Sequence, residues 1–229
     1  MLTFDNVFLP GAKKRPIFSG LSLKVGTRRA LVISERDDIP AGFINLVIGS
    51  RRPEKGSVRL DGRPSWPIGQ SLMRGTLTGR ETIRFLADLY NLDARACTRD
   101  AIRWFGAERM GVMMNNWPTI ERLKFERLAV LWPQFDIYVV YGAGPSRDEA
   151  FETEWLARFQ EKLEGRGLLA VCPPLEPWSW MCDVTILLRP DEAICYSDIT
   201  DALLDVKPAA AGELMEESKR TLNDDDELF

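Results

Sequence analysis

Four short apolar runs constrain this chain more than any other feature: Arg29–Ser34, Phe135–Tyr141, Leu168–Cys172 and Val184–Leu188. They are rich in aliphatic residues and nearly free of polar alternation, the pattern of strands covered on both faces. Stretches of helical periodicity lie between several of them. Strands of this kind in alternation with helices imply a mainly parallel sheet, and so the α/β class. Around this core, Thr3–Leu9, Phe18–Val25, Ser57–Asp61 and Ala193–Tyr196 also read as strands, with a turn at Asp61-Gly62.

The helices have their own signals. Ala41–Ile48 is a short apolar helix predicted to start near Pro40, where a first-turn proline costs little. Thr78 followed by Glu81 has the capping-box pattern, and Ile83, Leu86, Leu89 and Tyr90 then share one predicted face. Ala101–Phe105 and Ile120–Leu131 are further helical stretches, the second bracketed by Pro118 and Pro133. Ser146 and Glu149 repeat the capping pattern, ahead of Phe151, Trp155, Phe159 and Leu163 four apart.

Composition removes several chemistries. The 229 residues contain no histidine, which excludes Ser-His and Cys-His triads, histidine-ligated metals and a histidine general base. Cys97, Cys172, Cys182 and Cys195 form no CxxC pair and are expected as reduced, buried thiols. A net charge of −4 gives no nucleic-acid signal. No apolar run approaches the length of a membrane span, so a soluble, cytoplasmic chain is expected. Residues 1–80 are basic, with runs at Lys13-Lys14-Arg15 and Arg51-Arg52. Residues 210–229 hold Glu213, Glu216, Glu217, Asp224, Asp225, Asp226 and Glu227 against Lys219 and Arg220. The expected division is one folded domain over 1–206 and an acidic, disordered tail over 207–229.

Two segments carry a family resemblance. Ser65-Trp66-Pro67-Ile68-Gly69, followed by Gly75-Thr76-Leu77-Thr78-Gly79-Arg80-Glu81, resembles the SWPIG and GSLTGREN stretch of the ABC-transporter ATPase subunits of capsular-polysaccharide exporters. Arg52–Ser57, Phe135–Val140 and the Cys182-Asp183 pair resemble further stations of the same family, and the similarity runs over about 1–200. The resemblance implies an ABC-type nucleotide-binding domain: a RecA-like core, an N-terminal antiparallel β region and a helical subdomain at about 78–133. It also implies ATP hydrolysis by a dimer beneath a permease.

That second implication fails residue by residue. A phosphate loop needs the pattern GxxxxGK[ST], in which glycines bring N–H groups around the phosphates, lysine neutralises them and a hydroxyl ligates magnesium. The slot between strand and helix reads Ser34, Glu35, Arg36, Asp37, Asp38, Ile39, Pro40, Ala41 and Gly42, with Pro40 where the lysine belongs. The strand that should end in Asp-Glu runs into Tyr141 and Gly142. The family's signature loop corresponds to Pro118-Thr119-Ile120-Glu121, without its glycine. The switch histidine is absent, with Cys172-Pro173 in that stretch. Gly11 lies near the place of the adenine-stacking aromatic. Arg74 stands about where the family has glutamine, with Gln70 nearby. Asp148 matches the aspartate after the catalytic glutamate and serves equally as a helix-start acceptor.

The expected function is therefore a non-catalytic ABC ATPase-like subunit. It would have no catalytic residues, bind no metal or cofactor, and partner a membrane permease, an active ABC ATPase, or both, in a homo- or heterodimer peripheral to the inner membrane. Trp66, Gln70, Arg74, Thr78 and Arg80 are the docking candidates. Trp178 and Trp180, after a proline-rich stretch, are added as an exposed aromatic pair. Two alternatives stay open: a soluble interaction protein reusing the fold, with the acidic tail and tryptophan pair as contacts, and a surviving ATPase with Mg-ATP.

Overall fold

The computed structural model describes residues 1–12, 15–26, 29–70, 75–142, 146, 148–172 and 177–206. The chain divides into two units, one of Met1–Pro67, Asp136–Pro145 and Gly165–Phe229, the other of Ile68–Phe135 and Ser146–Glu164.

The first unit holds both sheets. Strands β1 (Leu2–Leu9), β2 (Phe18–Val25) and β4 (Lys55–Leu60) form an antiparallel sheet in the order β2-β1-β4. Strands β3 (Ala30–Ser34), β5 (Ile137–Tyr141), β6 (Gly167–Val171), β7 (Val184–Leu188) and β8 (Ala193–Tyr196) form the second, in the order β5-β6-β3-β7-β8. All pairings in the second sheet are parallel except that of β7 with β8. The apolar runs thus become the parallel strands, as their lack of alternation requires.

Helix α1 (Asp38–Val47) buries six of its ten residues. Phe43 stacks on Phe4 of β1 at 5.0 Å, and both belong to one core cluster with Val32, Val139, Leu169 and Ile186 of the parallel sheet. Gly42 permits the approach, because a Cβ there would stand 2.7 Å from Cγ2 of Ile17. The helix begins two residues before the expected start, so Pro40 occupies its third position. The correction costs nothing physically, since the first four N–H groups of a helix have no intrahelical partner.

The Ser65 segment has a structural role. Asp136 N and Ile137 N both donate to the Arg63 carbonyl, Ser65 N donates to the Ile137 carbonyl, and Arg63 N donates to the Asp136 carboxylate at 2.7 Å. Ser65 is buried, and its Oγ accepts from Val139 N at 2.9 Å while donating to the Trp66 carbonyl at 2.8 Å. Residues 63–65 are thereby fixed along β5, the strand that ends at Tyr141.

The second unit is helical. Helix α2 (Gly79–Tyr90) carries the full capping box: Glu81 N donates to Thr78 Oγ1 and Thr78 N to the Glu81 carboxylate. These contacts, led by the backbone bond, hold the Glu81 carboxyl below its ordinary range. Ile83, Leu86 and Ala87 are buried, but Leu89 is exposed. It stands in the helix's last turn, about 20° around the axis from buried Thr82, so position along the helix and not direction separates it from the buried residues.

Helix α3 (Ala94–Arg109) starts earlier than Ala101. Asp93 caps it, and Gly106 breaks it at φ 77°. Helix α4 (Thr119–Val130) follows, and α5 (Glu149–Lys162) buries Phe151, Trp155 and Phe159. Its cap is Asp148 and not Ser146, because Phe151 N donates to the Asp148 carboxylate at 3.0 Å. Phe105, Trp117, Phe125 and Trp132 form a chain of ring contacts that fills this core.

Two short helices complete the first unit, α6 (Trp178–Met181) and α7 (Ile199–Asp205). The periodicity of residues 199–205 is too brief for sequence alone to reveal α7. Among the described residues no helix is long and apolar enough to cross a membrane.

Replacing Ser65 with alanine leaves the buried Val139 N–H without its acceptor. The expected loss is about 1–3 kcal/mol in urea unfolding, with little change in m-value.

Candidate functional site

In an open parallel sheet, ligands bind beyond the carboxyl ends of the strands. In the first unit that edge is made by Ser34, Val171 and Leu188, with Tyr141 opposite Val171. Only Glu35, Arg36 and Asp37 lie between the end of β3 and the start of α1.

Internal bonds hold this short loop. Ser34 Oγ donates to the Leu188 carbonyl at 3.0 Å and accepts from Arg36 N at 3.2 Å. Ile39 N donates to the Arg36 carbonyl. The Arg36 guanidinium turns back on its own loop: Nε and Nη2 bind the two oxygens of Asp38 at 3.0 and 2.6 Å, and Nη1 donates to the Pro16 carbonyl. Glu35 faces the Arg189 guanidinium at 3.5 Å. Asp37 makes no side-chain cap bond to α1. Pro40 has no N–H, and Gly42 faces Ile17 and Leu9 across the helix packing. Ala41 carries no hydroxyl where the metal-binding one would stand.

Among residues 34–42, then, the one cation is already engaged by a carboxylate. With Asp38 paired to Arg36 and Glu35 to Arg189, the loop offers a triphosphate no free cation and adds the Asp37 carboxylate, a like charge that would cost about 4 kcal/mol near 4 Å. At the end of β5, Gly142 adopts φ 64° and donates its N–H to the Val171 carbonyl. Neither it nor Tyr141 offers magnesium a carboxylate. The residues in place do not fit a magnesium triphosphate.

Cys172 follows β6 at the same edge. It is buried, and burial raises its thiol pKa, so it is no thiolate nucleophile at neutral pH. Burial pushes the Cys182 thiol up to about 12 as well. The expectation of four buried thiols holds for Cys97 and Cys172. Cys182 is half-buried and Cys195 exposed, because it sits on β8 with its side chain turned outward.

In the helical unit, Glu121 of the signature-like segment meets Arg109, with Nε 3.0 Å from the carboxylate. Asp148 pairs with Lys124 while capping α5. The Lys124 hydrogen bond, then the Phe151 N–H, holds its carboxyl below the ordinary 3.8. Sequence reasoning missed a buried pair: Arg127 Nη2 donates to Glu152 at 2.8 Å and the guanidinium lies over the Trp155 ring at 4.2 Å. Trp155 Nε1 returns a bond to the Arg127 carbonyl, and Ser146 N donates to the other Glu152 oxygen. No motif marks such a pair.

The docking candidates separate. Trp66 and Gln70 are half-buried, Arg80 is exposed, and the Thr78 hydroxyl is committed to its cap. Arg74 lies outside the described residues, as do Lys13-Lys14 and 207–229. Trp178 is fully buried and leaves the candidate set, whereas Trp180 is 55% exposed. The one-turn helix α6 explains the split, since neighbours two apart on a helix point about 200° from each other.

A carboxyl with a lowered folded-state pKa stabilises the fold above its unfolded value and loses that contribution as pH falls through the folded one. Asp148→Asn should therefore lower stability at pH 7 by up to about 1 kcal/mol, discounted for the exposed pair. Denaturation curves of variant and parent should converge as pH falls below about 4.

No family model matches the chain. Two polysialic acid transport ATP-binding proteins KpsT of Escherichia coli are similar to it, one at 21% identity over 194 residues (82% of this chain, 87% of the relative), the other at 26% over 172 (72% and 78%). The capsule polysaccharide export ATP-binding protein CtrD of Neisseria meningitidis serogroup B is 24% identical over 167 residues, 70% of this chain and 75% of its own. Among solved structures, an ATP-binding subunit of an ABC transporter superposes with TM-score 0.70 at 17% identity, over 96% of this chain and 99% of that one. A dimeric ATP-binding cassette in a post-hydrolysis state with ADP and phosphate gives 0.67 at 13%, over 86% and 98%. The chain has the fold of an ABC ATP-binding subunit, and its sequence resemblance is to the ATP-binding proteins of capsular polysaccharide export.

Proposed function

We propose that this chain is a non-catalytic ABC ATPase-like subunit related to capsular polysaccharide export. It acts by shape, as a structural or regulatory partner of a membrane permease, of an active ATPase subunit, or of both. The observation that carries this reading is the slot after β3, whose arginine is bound bidentately by Asp38 and whose helix has proline where the phosphate-binding lysine belongs. The end of β5 supports it, with tyrosine and glycine in place of paired carboxylates.

Preserved framing elements support a use for the shape. The Thr78 capping box is complete, Ser65 is bonded on both sides, and α2 leaves Phe85 and Leu89 on its exposed side. Exposed apolar side chains one turn apart on a helix suit a protein partner better than solvent. In this role the chain works in the cytoplasm, held at the inner face of the inner membrane through its partner.

Equilibrium titration with Mg-ATP tests the reading. Neither saturable binding nor a shift in melting temperature is expected up to millimolar nucleotide. A ligand present at a hundred times its Kd would add about 2.7 kcal/mol of stability, well within detection. Micromolar binding overturns the proposal. Capture of the tagged chain from its native membranes should recover a permease; recovery of membrane proteins with no permease among them overturns the docking role.

A further inference from the structure

The antiparallel sheet of the first unit turns most of its apolar side chains inward and leaves a largely polar face outward. Two rows of that face carry its cations. In one, Thr3 stands between Lys24 of β2 and Arg59 of β4. In the other, Phe8 stands between Ser19 and Lys55, and the Lys55 ammonium lies 5.7 Å from the centre of the Phe8 ring. Lys24, Lys55 and Arg59 are exposed, and none is paired with a carboxylate among the described residues. Asp5 is the one carboxylate among the outward side chains of these three strands. Lys24 and Arg59, two strands apart, stand about 10 Å from each other. An anionic chain laid over Thr3 would meet both.

The end of the chain has the opposite sign. Residues 207–229 lie outside the described residues, and their sequence sets two acidic groups, Glu213, Glu216 and Glu217 and then Asp224–Glu227, against Lys207, Lys219 and Arg220. The chain leaves the described fold beside this sheet. Asp205, the last residue of α7, is bonded to Arg189, and the neighbouring Pro190 carbonyl accepts from Ser19 N at 2.7 Å. Residues 207–224 can span up to about 60 Å, whereas β2 extends only about 27 Å. Covalent attachment sets an effective concentration on the order of millimolar, which favours this segment over a separate partner of the same chemistry.

We propose that the acidic segment 213–227 docks on the outward face of β1, β2 and β4 of its own chain, over Lys24, Lys55 and Arg59. Its carboxylates supply the countercharge that the described residues do not. Exposed ion pairs of this kind are individually weak and screened by salt, so the cover is reversible. It stands whether or not the slot binds a nucleotide. The consequence is regulatory: the basic face becomes open to other anions only when the acidic segment is drawn off.

Carbodiimide coupling of the full chain tests the docking, because it joins a lysine to a carboxylate only where the two meet. A mixture of isotope-labelled and unlabelled protein separates coupling within a chain from coupling between chains. Mass spectrometry should find Lys24 and Lys55 joined to carboxylates of 213–227 within one chain, and about 0.5 M salt should cut the yield at least threefold. Trypsin cleavage after Lys219 and Arg220 gives a second readout. Lys24→Glu combined with Arg59→Glu, both exposed positions, should speed that cleavage about three- to tenfold over the parent. Salt should speed it in the parent and add little in the variant. Coupling mainly between differently labelled chains overturns the proposal in favour of a second copy. Coupling that misses both lysines, or equal cleavage of parent and variant, also overturns it and leaves the face to a separate anionic partner.

Discussion

At Gly42, helix α1 comes so near Leu9 at the end of β1 and Ile17 just before β2 that a Cβ would press on Ile17 at 2.7 Å. This approach lets Phe43 stack on Phe4 and joins the antiparallel sheet and the parallel sheet in one apolar cluster. A helix with most of its residues buried between two sheets cannot rotate or slide without opening cavities. The register of α1 therefore fixes where its first turn stands, and with it the loop from Glu35 to Asp37. Charges in that loop are consequences of a position set by packing several ångströms away.

The charges themselves follow a common pattern. Asp38 is bound by Arg36, Glu35 by Arg189, Glu121 by Arg109 and Asp148 by Lys124. These four carboxylates, all in segments that the resemblance would reserve for nucleotide chemistry, each have a cation from this chain. Partly buried carboxylates without such partners would shift towards protonation or destabilise the fold. The sequence records the acidic residues plainly. What it hides is the compensation, because the arginines that answer Glu35 and Glu121 stand far away along the chain or on another helix.

The same division separates what was legible from what was not. Unbroken apolar runs announced the parallel strands, and the Phe151, Trp155, Phe159 and Leu163 spacing announced the buried face of α5. Local chemistry announced the Thr78 cap. It misplaced the start of α1, because Pro40 is tolerated equally at the first and third helical positions. It left the α5 cap open between Ser146 and Asp148, and only geometry decides for Asp148. Trp178 turns inward because residues 178–181 form a one-turn helix that sets its direction opposite to Trp180, and Leu89 is exposed although α2 begins at its expected cap. Of the slot residues 34–42, Ser34 closes β3 and residues 38–42 open α1, and the inward turn of Arg36 onto Asp38 has no signature in a linear pattern.

The pairing of residues 63–65 with β5 has a further consequence. A five-stranded open sheet has two outer strands, and β5 is one of them. Without that segment, its N–H and C=O groups around Ile137 and Val139 would form a template for another chain. A short, proline-containing stretch lying there satisfies those groups and cannot itself propagate pairing, since Pro64 lacks an amide hydrogen. Residues 63–65, which lead into the Ser65–Gly69 stretch of the family resemblance, thus also cover an outer edge of the sheet that would otherwise invite self-association.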